Sequence, residues 1–70
     1  MNLIKEKREE NGLTQKELAL KVNKSLKTIQ AIEQGKRKPG QILTLNLFKE
    51  LKIPISKLEI FLEQYTTNWS

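Results

Sequence analysis

The run from Leu13 to Gln34, LTQKELALKVNKSLKTIQAIEQ, constrains this chain more than any other part of it. It opens with agreeing signals for a helix start. Thr14 stands as N-cap, and Glu17, three residues on, completes a capping box. Leu13 and Leu18 take the two hydrophobic-staple positions. Leu18, Ala19 and Val22 form one inner face, and the helix is expected to end near Val22. Asn23 follows. A turn this tight needs a residue at positive φ. Glycine serves best, and Asn is the next choice because its short side chain bonds locally. Ser25 caps a second helix, with Ile29 and Ile32 on its inner face, which stops at Gly35. Ala19 is expected where the two helices cross, since a larger side chain there would force them apart.

The flanks read as helix too, and no strand signal competes. A first helix is expected from about Asn2, its cap, to Asn11, with Gly12 as its stop. Leu3 and Ile4 lie near Arg8 on one of its faces. Pro39 and Gly40 bar continuation after the central unit. A fourth helix covers roughly Ile42 to Leu51. Ile53-Pro54-Ile55 makes a short link. A fifth helix is expected from Ser56, with Ser56 and Glu59 as capping box and Ile55 and Ile60 as staple. Its end is left open by Thr66, Thr67 and Asn68, which are poor helix formers. The expected fold is therefore all-α, a compact bundle of five helices. Residues 1–63 form the domain, and 64–70 a C-terminal tail that can extend the last helix.

Seventy residues suit one domain with a modest core and a thin stability margin. There is no Cys and no His, so disulfides, the usual zinc sites and the common nucleophile–base pairs fall away. No cofactor or metal is expected. Asp is absent altogether, there is no Gly-rich phosphate loop, and the Glu residues sit at caps or ion-pair positions. An enzyme is the weakest reading. No apolar run is long enough to span a membrane, and the opening MNLIKEKREE lacks an apolar signal region. The absence of Cys suits a reducing cytoplasm.

The net charge is +5, and its placement matters more than its size. Residues 1–23 carry five positive and four negative groups, and residues 39–70 three of each. Residues 24–38 carry five positive groups, Lys24, Lys27, Lys36, Arg37 and Lys38, against Glu33 alone. The excess therefore sits on the second helix of the central unit and the loop after it. A patch of that kind attracts a polyanion and gives salt-dependent binding.

The combination GLTQKELA, a turn residue, TIQAIEQG and KRKP resembles the helix-turn-helix of the Cro/lambda-repressor-like (XRE) family of transcriptional regulators. The resemblance runs from Leu3 to about Leu62. It implies a lambda-repressor-like five-helix domain that binds operator DNA, a double-stranded two-fold site, as a homodimer. The second helix of the unit would enter the major groove. Positions matching the family's base readers are Ser25, Leu26, Lys27 and Ala31, with Thr28, Gln30 and Gln34 beside them. Lys27 suits guanine O6 and N7. Leu26 and Ala31 offer no hydrogen bond, and can meet a thymine methyl or leave space. For Leu26 a local packing contact stands as the other reading. Gln15 matches a phosphate-clamping position, and Lys36, Arg37 and Lys38 would hold the flanking backbone. Arg8 and Glu33 match a structural ion pair between the first and third helices.

The chain departs from the family pattern in its fourth helix. Phe48 stands where a small residue is usual, and Gln41 and Thr44 where Leu is usual. Ile42, Leu43 and Leu45 leave apolar surface on more than one face. Leu58, Leu62, Tyr65 and Trp69 add more near helical spacing. Surplus apolar surface on a small domain commonly marks a partner surface. Ile42, Leu45, Phe61, Tyr65 and Trp69 are the candidate dimer residues. Tyr65 and Trp69 folding back on their own domain is the alternative. The leading expectation is a cytoplasmic repressor of bacterial or phage type. An antitoxin-like module whose tail captures a partner protein, and a restriction-modification controller protein, stand as alternatives.

Overall fold

A computed structural model of the chain describes residues 2–65. Among these, five α-helices run in order: α1 Leu3–Glu10, α2 Gln15–Lys21, α3 Leu26–Glu33, α4 Gln41–Glu50 and α5 Leu58–Glu63. A 3-10 turn, Ile55–Lys57, leads into α5, and no described residue lies in a strand. No described helix is long and apolar enough to cross a membrane.

The starts follow their caps. Asn2 Oδ1 accepts from the backbone N–H groups of Ile4 and Lys5 at the head of α1. At α2, Thr14 Oγ1 accepts from Glu17 N at 3.0 Å, while Glu17 Oε1 accepts from Thr14 N at 2.8 Å. The bond from Thr14 N to the carboxylate, helped by the Thr14 side chain, favours the ionised form and holds Glu17 below its ordinary pKa. Ser25 Oγ accepts from Thr28 N at the head of α3.

Four helices end in one device. The residue after the C-cap turns to positive φ: Gly12 (69°), Asn23 (57°), Gly35 (75°) and Lys52 (57°). The next N–H then reaches back five residues, as in Leu13 N to Arg8 O, Lys24 N to Ala19 O, Lys36 N to Ala31 O and Ile53 N to Phe48 O. These are Schellman closures, which satisfy carbonyls that a helix end would otherwise leave open.

All five helices share one core. It holds Leu3 and Ile4 of α1, Leu18 and Ala19 of α2, Ile29 and Ile32 of α3, and Leu43, Leu47 and Phe48 of α4. Val22, Leu51 and Ile53 join from the helix ends, and Phe61 and Tyr65 from the C-terminal side. Each Val, Leu, Ile or Phe among them contributes about 1.5–3 kcal/mol of transfer free energy when fully buried. Phe48 fits because α5 brings aromatic edges to it. Its ring meets Phe61 edge-on at 5.3 Å, and Phe61 meets Tyr65 at 5.1 Å. The packed body runs on through Gln64 and Tyr65. Gln64 Oε1 accepts from Leu3 N, and the Tyr65 hydroxyl donates to the Ile32 carbonyl at 2.9 Å.

The start of α5 corrects the sequence expectation. Ser56 makes no capping bond there, and Ile55 and Ile60 are exposed rather than stapled together. A capping residue needs extended backbone, and Pro54 supplies it at ψ 147°. Lys57 N then bonds to Pro54 O at 3.0 Å, so the chain turns first as a tight 3-10 segment with Ser56 inside it.

Candidate nucleic-acid interface

α2 and α3 pack through Leu18, Ala19, Ile29 and Ile32, all buried, and turn about Asn23. This packing aims the remaining face of α3 outward. On that face lie Leu26, Lys27, Gln30, Ala31 and Gln34. Ser25, Leu26, Lys27 and Gln34 are exposed, while Thr28, Gln30 and Ala31 are half-buried. Lys24 precedes α3 and Lys36, Arg37 and Lys38 follow it, all exposed. The one acidic group of this segment, Glu33, points inward.

Glu33 is held by Arg8 of α1. Arg8 Nε donates to Glu33 Oε2 at 2.7 Å and Nη2 to Oε1 at 3.1 Å. A third donor, Nη1, reaches the Leu13 carbonyl at 2.8 Å. The two side chains are 10% and 3% exposed. The bonds to Glu33 raise the Arg8 pKa further above its ordinary value against the opposing effect of burial. Neutralised inside, Glu33 subtracts little from the outer field. The cations of residues 24–38 therefore face solvent with no exposed carboxylate among them.

Gln15 is half-buried at the head of α2. Its Nε2 donates to Glu33 Oε1 at 3.1 Å, and its Oε1 accepts from Gln30 Nε2 at 3.5 Å. Arg8, Glu33, Gln15 and Gln30 thus form one chain of polar contacts from the core to the surface. It orients Gln15 and leaves one of its amide hydrogens for a further acceptor. Ser25 Oγ and Thr28 Oγ1 lie 2.9 Å apart and hold each other.

Of the candidate dimer residues, Ile42 and Leu45 stand out from α4, 78% and 58% exposed. A groove beside Leu45 is lined by Pro39, Gln41, Thr44, Leu58 and Leu62. Phe61 and Tyr65 are corrected: both are buried in their own domain by the ring contacts and the Ile32 bond, and have no surface to give a partner. Trp69 lies outside the described residues.

One arrangement had no sequence signal. The Ile32 carbonyl, in the last turn of α3, accepts from Gly35 N, Asn2 Nδ2 and the Tyr65 hydroxyl at 3.1, 3.0 and 2.9 Å. Asn2 Nδ2 also donates to the Tyr65 oxygen at 3.1 Å. Residues near both chain ends therefore fix the end of the helix that carries the candidate readers. Only the capping role of Asn2 was legible.

A tight helix pair whose second member presents an outward face flanked by cations defines a helix-turn-helix DNA-binding domain. The helix-turn-helix family model HTH_3 matches residues 4–58. The chain belongs to that family, the XRE type of helix-turn-helix regulator. It is similar to a protein of Methanothermobacter thermautotrophicus described as an uncharacterized HTH-type transcriptional regulator. The two are 45% identical over 49 residues, covering 70% of this chain and 71% of the relative. No solved structure matches the chain. It is a DNA-binding transcriptional regulator and not an enzyme.

Proposed function

We propose that the chain is a repressor that binds a two-fold operator as a homodimer. α3 lies in the major groove, with Lys27 on a guanine and Leu26 and Ala31 on neighbouring base edges. Gln15 and the loop cations Lys36, Arg37 and Lys38 hold phosphates on either side. Lys24, Ser25, Thr28, Gln30 and Gln34 line the same contact. The observation that supports this most is the exposed positive charge of Lys24, Lys27, Lys36 and Arg37 along α3 and its following loop. Arg8 has already neutralised Glu33, the carboxylate of the same segment.

Dimerisation rests on Ile42 and Leu45, apolar and exposed three residues apart on α4. One monomer reads too short a half-site to be specific in a genome, and a second copy doubles it. The antitoxin-like reading leaned on the tail aromatics. Phe61 and Tyr65 lie inside their own domain, which leaves that reading Trp69 alone, outside the described residues.

Selection of bound duplexes from a random library tests the proposal. The expected product is an inverted repeat whose half-sites lie about one helical turn apart. Lys27→Ala should relax preference at one base pair per half-site by about 1–3 kcal/mol. A selected pool with no shared sequence, or with a single unrepeated site, would overturn it.

A further inference from the structure

We propose that Asn11 is a self-modifying site. Its side-chain amide is lost by attack of the Gly12 backbone nitrogen, and the folded turn between α1 and α2 holds that reaction back.

Of Asn2, Asn11, Asn23, Asn46 and Asn68, Asn11 alone is followed by glycine. Glycine has no side chain to shield its own nitrogen or to hinder rotation beside it. Once the backbone is free to turn, Gly12 N gives its proton to hydroxide and bonds to Asn11 Cγ. The Cγ–Nδ2 bond breaks, and the amide leaves as ammonia with a proton from water. Water then opens the cyclic imide. Cleavage between Cγ and nitrogen leaves aspartate. Cleavage of the backbone C–N bond leaves isoaspartate, with an extra carbon in the main chain. Water is consumed, ammonia is released, and nothing is oxidised or reduced.

Asn11 and Gly12 are both exposed, so water and hydroxide reach them. The obstacle is the turn itself. Asn11 is the C-cap of α1, at φ −86° and ψ 1°, and Gly12 follows at φ 69°. Gly12 N donates to the Glu9 carbonyl at 3.0 Å. Asn11 Nδ2 donates to the Lys7 carbonyl at 2.8 Å and to the Leu51 carbonyl at 3.1 Å. The attacking N–H and the amide under attack are thus each held elsewhere, and cyclisation breaks all three bonds. Leu13, the next residue, is tied to Arg8 in both directions: Leu13 N donates to Arg8 O, and Arg8 Nη1 donates to Leu13 O. Rotating the turn therefore draws on the residue that holds Glu33 as well.

The product does not fit the place. Lys7 lies in the last turn of α1 and Leu51 is the C-cap of α4, so both carbonyls stand at the negative end of a helix dipole. An amide donates to them, whereas a carboxylate repels them. Isoaspartate also lengthens the main chain between α1 and α2. The step is consequently one-way: opening of the turn permits it, and the product keeps the turn from closing well again.

The test uses the full chain, held at mildly alkaline pH in buffer and in urea, with the modified positions read by peptide mass mapping. In urea, Asn11 should react before any other asparagine. In buffer it should react at least about tenfold more slowly, because the turn must first open. The modified chain, separated by ion exchange, and Asn11→Asp should each melt about 4–8 °C below the wild type, the shift for one lost hydrogen bond in a domain of this size. Another asparagine reacting first in urea would overturn the site. Equal rates in buffer and urea would overturn the protection by the fold. Wild-type melting of both the modified chain and Asn11→Asp would overturn the misfit of the product.

Discussion

Arg8→Met should remove a large share of the stability of this small domain. The substitution removes the two bonds to Glu33 and the one to Leu13 O. Glu33 stays behind with its side chain 3% exposed and Gln15 as its remaining donor. Stranding a buried charge in this way costs about 3–5 kcal/mol. At about 0.05–0.15 kcal/mol per residue, a domain of this size has a total of roughly 3.5–10 kcal/mol. The single variant should therefore lose from about a third of its stability to all of it. Arg8→Met with Glu33→Leu removes both charges together. An apolar pair of similar volume is near neutral, and what remains is the Leu13 carbonyl without its donor, about 1 kcal/mol. The double variant should thus lie far closer to the wild type than Arg8→Met does. Urea titrations followed by circular dichroism measure all of this, provided the slope of stability against urea stays constant. The double variant should also bind operator more weakly while folded, because Gln15 has lost the carboxylate that orients it. An Arg8→Met penalty below about 1 kcal/mol, the value of an exposed pair, would refute the argument. So would a double variant whose loss equals the sum of the single losses.

Replacing Lys36, Arg37 and Lys38 together by Ala should weaken binding to all duplexes alike. Each lost phosphate contact should lower the log–log salt slope by about 0.9, and an unchanged slope would take the loop off the DNA. Lys52→Gly should stabilise the fold by about 0.5–1 kcal/mol, since Lys52 holds a φ of 57° that a side chain resists; equal urea midpoints would count against strain there. Tyr65→Phe should cost about 1 kcal/mol near neutral pH through its bonds to Ile32 and Asn2. Burial raises the Tyr65 pKa above 10.0, so its share of stability is complete below that pH and is lost as pH rises through the raised value; the variant's melting temperature should fall less on that alkaline limb. Ile42→Lys with Leu45→Lys should weaken self-association at an unchanged melting temperature, as sedimentation and calorimetry would show. A wild type that stays monomeric at high concentration and on operator DNA would end the dimer proposal.

The local signals in this sequence were legible because their partners lie within one turn. Thr14 and Glu17 sit three residues apart, and each closes the other's bond. Gly12, Asn23 and Gly35 are residue types that favour positive φ, and they marked three helix ends. Lys52 takes the same conformation without belonging to such a type. Its neighbours Leu51 and Ile53 are buried, and tertiary packing sets the turn where propensity would not. Ser56 misled for the opposite reason. Its spacing to Glu59 was right, but Pro54 had already taken the extended position. The fate of Tyr65 was open because an exposed and a buried aromatic look alike in sequence. Only the meeting of α5 with Phe48 and Ile32 decides it. Near the site, the outward face of α3 followed from its periodicity. The linkage of Gln15 to Glu33 did not, since it joins residues 18 apart on different helices.

The Ile32 carbonyl gathers donors 30 and 33 residues away in sequence, from Asn2 and Tyr65. Closing loops of that length is entropically expensive, and the expense is met only when the rest of the chain is in place. The last turn of α3 therefore cannot fray by itself as most helix ends do. To loosen it, contacts near both ends of the chain must open as well. Amide exchange at Gly35 and Lys36 should then follow global unfolding, although both residues lie at the edge of a loop. Seen this way, the reading helix is welded to the whole domain. It is present in full or absent, and a half-folded chain presents no ordered reading face.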